Sequence, residues 1–467
     1  MIRLVNRLRQ KFVKKKSFKK ILIANRGEIA VRIIRACQEL GIRTVAVHSL
    51  ADKDSLHAKL ADESVCIGPG PSSKSYLHIP AVMSAAEITG VDAIHPGYGF
   101  LSENEEFARI CEQYEIKFIG PTADQIGTLG NKVRARAVAV AAKIALLPGS
   151  KGVIRGKEEA LSLAEEVGYP LIIKAAAGGG GRGMKVVQEE SQLIRLFHMA
   201  QVEAQASFGN PDCFMEKYLE TPRHVEVQIV ADEHGNSTFL GERDCSLQRR
   251  HQKIIEEAPC PVLTDRQKSD VGEIALKLIR SVGYQSLGTV EFLFDGKNFY
   301  FMEMNTRAQV EHPVTEMVMG VDLIKEQILI AQGERLSFIQ KPFLPRGHAI
   351  ECRINAEDPH TFAPWPGKIT DFHQPGGPGI RVDTMVYAGY TVPSLYDSLL
   401  AKVIAHGSTR LEAIQRMIRA LKEMKIEGIR TNIEFHLRLL SDEKFIAGDV
   451  STRFIEQFIK QAGPLQR

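Results

Sequence analysis

From Lys20 onward, short β-branched runs alternate with helical stretches, and the order strand, helix, strand leaves few folds open. Residues 21–24 read as a strand, the next segment as a helix closing at Gly41, and residues 44–47 as a second strand. Consecutive strands joined through a helix pair in parallel, because a parallel return needs a crossover of that length. In the helix, Ile29, Ile33, Ile34, Cys37 and Leu40 make one apolar stripe, while Glu28, Arg32, Arg35 and Glu39 lie mostly outside it. Further strand candidates at 64–67, 92–94 and 118–121 continue the pattern. Residues 20–121 are therefore expected to form one doubly wound parallel-sheet domain.

A chain of 467 residues exceeds what a single hydrophobic core organises, so further domains follow. Residues 122–215 read as Ala-rich helix, a strand at 170–174, a glycine run and more helix. From 225 to about 307 strands dominate. A helix over 322–332 stops at Gly333, the Pro-containing stretch 341–345 reads as a linker, and 347–460 reads as an α+β unit. The overall class is α/β and α+β.

Charge bears on partners. Lys and Arg number 60 against 56 Asp and Glu, a net +4, yet nine of the basic residues fall within residues 1–20, which hold no acid. The remainder is slightly acidic, which removes the electrostatic warrant for nucleic acid. Residues 1–19 are read as a basic extension before the first strand, in preference to a transit peptide or an amphipathic surface helix. No later run reaches the roughly 18 apolar residues of a membrane span. Seven scattered cysteines form no C-x-x-C pair or Cys/His cluster, so a reducing, cytoplasmic setting is expected.

Three segments could carry chemistry. The run Gly178-Gly179-Gly180-Gly181-Arg182-Gly183 follows a strand ending at Lys174, but matches neither a Walker A loop nor a dinucleotide fingerprint. It suits a mobile phosphate cover of backbone N–H groups, and read alone it is equally a flexible surface loop. The second segment is a hairpin, 288–294 and 299–305 around Asp295-Gly296, in which Glu303, Asn305 and Arg307 can share a face. A three-residue loop at 296–298, or an equivalent bulge, would set Glu291 opposite Glu303. Two carboxylates and an amide oxygen on one face suit magnesium. Beyond them, Arg307 could grip an oxyanion and Glu311 could take its proton, while His312 reads as a cap or core histidine. The third segment, 242–253, concentrates donors. With Lys132, Lys174 and Lys253 it could surround a triphosphate, and Cys245 within it reads as a packed thiol. These features support an enzyme using ATP and magnesium on a small anion, without naming the anion.

Five blocks of this sequence resemble biotin carboxylase, the ATP-grasp component of acetyl-CoA carboxylase and related enzymes. They are residues 23–30, 95–104, 174–184, 243–253 and 303–316, and the resemblance runs from about Lys20 to Phe454. It implies a central ATP-grasp domain at 122–335 with a mobile glycine-rich lid at about 147–218, and a C-terminal α+β domain at 346–455. By resemblance, Lys132 and Lys174 contact ATP phosphates and Gly180 and Gly181 lie in the lid. Glu216, Lys217, Tyr218 and Leu219 form the adenine hinge, and His224, Gln248 and His251 are further nucleotide-site positions. Glu291, Glu303 and Asn305 take the magnesium (or manganese) positions. Lys253, Arg307 and Val310 resemble the bicarbonate pocket, Glu311 the general base, and Arg353 the group that steadies the biotin enolate.

Asn131, Ala308 and Trp365 depart from the usual family residues without removing a catalytic group. Arg35, Glu39 and Arg381 resemble contacts of a homodimer, whereas Pro378 departs from relatives that place Phe there. The sequence contains no Ala-Met-Lys-Met biotinylation motif, so a separate biotin carboxyl carrier protein and separate carboxyltransferase subunits are expected as partners. The resemblance implies the first half-reaction of acetyl-CoA carboxylase, or alternatively a detached subunit of a pyruvate or propionyl-CoA carboxylase. Another ATP-grasp ligase and a silent ATP-binding homologue are the competing classes, and the catalytic set from Lys253 to Arg353 argues against both.

Overall fold

The computed structural model describes residues 17–176, 183–338 and 344–462. Its first sheet contains β1 (Lys20–Ile23), β2 (Arg43–His48), β3 (Glu63–Cys66), β4 (Ala93–His95) and β5 (Lys117–Phe118), all parallel, in the order β3-β2-β1-β4-β5. Helix α1 (Gly27–Glu39) crosses from β1 to β2 and buries Ile29, Ile33, Ile34 and Cys37, with Leu40 half-buried. Glu28 and Arg32, expected outside the stripe, are buried as well. The helix is covered on its far side too, and both charges find partners there. Arg32 meets Glu316 at 2.9 Å and Asp322 at 2.5 Å, and Glu28 meets Tyr98 and, at 3.1 Å, Lys402. Residues 1–16 lie outside the described residues. The extension already joins the body at Phe18, which is buried, and the Lys19 and Lys20 amides donate to Asp92.

A small antiparallel sheet follows, β7 (Lys185–Val187), β6 (Leu171–Ala175) and β8 (Cys213–Lys217), packed against helices Lys157–Val167 and Glu190–Phe208. The glycine run between β6 and β7, including Gly180 and Gly181, lies outside the described residues except for Gly183.

The largest sheet has eight strands: β9 (Arg223–Ala231), β10 (Ser237–Arg249), β11 (Gln252–Ala258), β12 (Ser286–Phe294), β13 (Phe299–Asn305), β14 (His348–Asn355), β15 (Ile380–Thr384) and β16 (Leu399–Gly407). Their order is β13-β12-β9-β10-β11-β14-β16-β15. The sheet therefore continues past the expected linker: the last three strands extend the sheet that residues 223–305 begin. Strands do not have the interval 225–307 to themselves, because Asp265–Ser281 is a 17-residue helix opened by a capping box between Thr264 and Gln267. The expected helix near 322 spans Leu323–Ala331, with Asp322 as its cap.

Alternation along the strands sorts the large sheet into two faces. On β14, Ile350, Cys352 and Ile354 pack into an apolar core with Val403, Ala413 and Met417, while Glu351 and Arg353 point the other way. That second face forms one wall of a cavity of about 730 Å³, to which residues 25–29 and 98–100 of the N-terminal domain, the small sheet and the segment 305–311 also contribute.

Candidate active site

Register places a row of acids across this wall. Glu303 on β13 pairs with Glu291 on β12, Glu291 with Glu226 on β9, and Glu226 with Arg243 on β10. Phe294 pairs with Phe299, so the hairpin loop holds four residues rather than three, with Asp295 accepting from the Lys297 and Asn298 amides at 2.8 and 2.7 Å. An even loop alone would turn Glu291 away from Glu303. A bulge at Met302 restores the facing, the alternative that the alternation argument allowed.

Cations tie this row together. Lys253 sits 2.6 Å from Glu226, 3.2 Å from Glu291 and 2.5 Å from Glu311. Arg243, fully buried, bonds Glu226 and donates to Gln228 at 2.7 Å and Thr315 at 2.9 Å. Arg353 donates through Nε to Glu256 at 2.6 Å and through Nη2 to Glu311 at 2.9 Å. Burial alone would raise the Glu311 pKa, but Lys253, Arg353 and Arg243 outweigh it and hold the carboxyl far below its ordinary range. Burial likewise opposes ionisation of Glu291, and Lys253 and His224 overcome it. Glu291 is anionic, with Asn305 and Gln309 each donating to it at 2.7 Å.

Arg307 is aimed by Glu103, at 2.8 Å, and by the Asn305 side-chain oxygen, at 2.8 Å. Val310 lines the cavity, and its carbonyl accepts from Lys402 at 2.8 Å. Lys132 stands 2.8 Å from Glu303. Lys174, on β6, meets the buried Glu216 carboxylate at 2.6 Å, which Arg136 also bonds. Gln248 lies 2.6 Å from His224, whose Nε2 is 2.8 Å from Glu291. Arg250 and His251 form a two-residue turn with φ of 49° and 65°, which brings His251 to the cavity rim.

Lys217, Tyr218 and Leu219 stand apart from this convergence. They leave the end of β8 half-buried and do not line the cavity; the Lys217 ammonium donates instead to the Gly168 and Tyr169 carbonyls at 3.1 and 2.7 Å. Cys245 is a buried thiol whose pKa burial raises, and His312 is a core histidine bonded at 2.8 Å to the Gln309 carbonyl. Sequence reasoning missed Glu103, Glu226, Glu256 and Gln309 as partners of the reactive cations and acids. For Glu226 a signal existed: His224, Glu226 and Gln228 alternate along β9 and so share its cavity face.

Comparison with known proteins places this arrangement. Residues 17–126 match the family model "Biotin carboxylase, N-terminal domain", residues 131–339 "Carbamoyl-phosphate synthase L chain, ATP binding domain", and residues 351–457 "Biotin carboxylase C-terminal domain". A biotin carboxylase from Allochromatium vinosum is 56% identical over 94% of this chain and 98% of its own length. The chain belongs to the biotin carboxylase family. A pyruvate carboxylase subunit from Methanothermobacter thermautotrophicus is 51% identical over 94% of this chain and 90% of its own. The biotin carboxylase domain dimer of Hydrogenobacter thermophilus 2-oxoglutarate carboxylase, solved with MgADP, ADP and bicarbonate, superposes with a TM-score of 0.94. It is 46% identical, covering 97% of this chain and all of that one. A biotin carboxylase is an ATP-dependent ligase, and this chain has the family's three-domain architecture: a parallel-sheet N-terminal domain, a central ATP-grasp domain and a C-terminal domain.

Proposed function

We propose that this protein carboxylates biotin on a separate biotin carboxyl carrier protein, using bicarbonate and MgATP, as the first half-reaction of acetyl-CoA carboxylase. The carrying observation is Glu311, ionised and clasped between Lys253 and Arg353 beside Arg307, in a cavity that also holds Lys132 and Lys174. These cations offer a bicarbonate anion and a triphosphate their counter-charges. As clasped, Glu311 is a weak base. An anion bound among Lys253, Arg307 and Arg353 competes for those cations, and the Glu311 basicity rises as its own hold on them weakens.

Glu311 then takes the bicarbonate proton as the bicarbonate oxygen attacks the γ-phosphorus and ADP leaves. Lys132 and Lys174 stabilise charge on the phosphoryl oxygens. Carboxyphosphate breaks down to carbon dioxide and phosphate inside the cavity. Phosphate accepts the biotin N1 proton, N1 bonds to the carbon, and Arg353 offsets the charge on the ureido oxygen. Glu291, Glu303 and Asn305 fit a magnesium ion, since Glu291 is anionic and directly faces Glu303, with the amide beside them. Such an ion supplies Lewis-acid polarisation of phosphoryl oxygens.

Gly180 and Gly181 as a lid, and Glu216 to Leu219 as an adenine hinge, belong to the same proposal, as do a homodimer, separate carboxyltransferase subunits and a cytoplasmic location. Among the described residues no helix is long and apolar enough to cross a membrane. The likeness to a pyruvate carboxylase component favours the second reading, a biotin carboxylase serving a different acceptor. Bicarbonate-dependent ATP hydrolysis, measured with and without free biotin beside Glu311→Gln, tests the half-reaction. Biotin stimulation absent from the variant is the expected result, and ATP consumption indifferent to biotin and bicarbonate would overturn it.

A further inference from the structure

Beneath Arg353 lies a pair of acids that the reaction as derived does not use. Glu256 on β11 and Glu351 on β14 are direct cross-strand partners, so their side chains emerge on the same face, and both are fully buried. Arg353, two residues along β14, shares that face. One Glu256 oxygen accepts from the guanidinium, at 2.6 Å from Nε and 2.5 Å from Nη2. Among the described residues, Glu256 Oε2 and both oxygens of Glu351 have no hydrogen-bond partner. Two opposed, buried carboxylates with three unpartnered oxygens do not both stay ionised, since each charge is costly there and each raises the cost of the other.

We propose that Glu256 is a positioning residue for Arg353, and that Glu351 opposite it stays protonated so that Glu256 alone supplies the charge that aims the guanidinium between it and Glu311. The groups facing the pair are Arg353 on the same strand as Glu351, Lys253 on β11, Cys245 on β10, Lys402 on β16 with its partner Glu28 on α1, Tyr98 after β4, and Glu311. They divide the two acids unequally. Arg353 bonds Glu256 directly, whereas Lys402, the cation on the Glu351 side, is engaged by the Val310 carbonyl and Glu28. Burial drives the Glu351 pKa well above the ordinary carboxyl value, and pushes Glu256 up to about 7 against the pull of Arg353. Glu256 therefore loses its charge, and Arg353 its aim, as pH falls through neutrality.

The inference rests on the biotin carboxylase reading, and a wild-type protein without biotin-stimulated ATP hydrolysis would fail that reading first, before any variant is compared. Given wild-type stimulation, Glu256→Gln is expected to lower the biotin-dependent kcat about tenfold or more with the KM for ATP within about twofold. Glu351→Gln, which mimics a protonated acid, is expected to stay within about threefold of wild type on both. The acid-side fall in rate near pH 7 should persist in Glu351→Gln and vanish in Glu256→Gln. Equal losses in the two variants, or a Glu256→Gln profile that keeps the fall, would overturn the proposal. A reading independent of any change at Glu256 comes from infrared spectra at pH 8: wild type should show a protonated-carboxyl band that Glu351→Gln lacks, and identical spectra would overturn it.

Discussion

Neighbouring glutamates on β11 face opposite sides of the large sheet, and the two faces use charge differently. On the outer face one acid has two donors to itself: Glu257 meets the Arg410 guanidinium at 2.6 and 3.1 Å and the His348 ring at 2.7 Å. Burial disfavours its charge, yet these partners depress its pKa to about 2. On the cavity face the ratio reverses. Lys253 is divided among Glu226, Glu291 and Glu311, and Arg353 between Glu256 and Glu311. A saturated acid is a fixed structural bond. A cation shared among several acids can exchange partners when an anionic substrate arrives, which is what the proposed chemistry asks of Lys253 and Arg353.

The widest separation of the faces should appear in kinetics. Replacing Glu311 by Gln is expected to cut the biotin-dependent rate by about 10²–10⁴-fold. A comparable rate loss from Glu257→Gln, on the far face, would break the contrast. Next in size is Glu226→Gln, which leaves the fully buried Arg243 short of its counter-charge. Denaturant titration should show a loss of about 3–5 kcal/mol, so that part of the cavity wall proves as structural as the outer face.

The smallest effect concerns acid. The folded pKa of Glu257 lies below its unfolded value of about 4.3, so its contribution to stability is present above that value and is lost as pH falls towards about 2. Stability measured between pH 5 and pH 3 should therefore decline less steeply in Glu257→Gln than in wild type, and an unchanged slope would show that the outer-face bond is not the stronger one.

What the sequence revealed followed the range of the interactions involved. The parallel sheet, the α1 stripe and the Glu291–Glu303 facing are short-range patterns, and each is found, with the bulge at Met302 supplying the register that the four-residue loop does not. Burial of Glu28 was illegible because its partner Lys402 is 374 residues away in sequence, and the continuation of the sheet past residue 346 depends on the pairing of β11 with β14, another contact between segments far apart in sequence. The turn at Arg250 and His251 carries none of the Gly or Asn residues that mark positive φ. The helix Asp265–Ser281 is legible in its capping box, although the strands on either side dominate the pattern of that interval. The site acids Glu291, Glu303 and Glu311 stood out in the sequence, whereas Glu103, Glu226 and Glu256 act by holding other side chains and become visible only through contacts.

The most direct test of the account follows the carbon. Incubating the protein with labelled bicarbonate, MgATP and free biotin, then measuring acid-labile label on biotin against ADP formed, asks whether Glu311 and its shared cations perform the proposed transfer. The account predicts labelled carboxybiotin that depends on ATP and is lost in Glu311→Gln. ADP formation at the same rate with no label on biotin would contradict it.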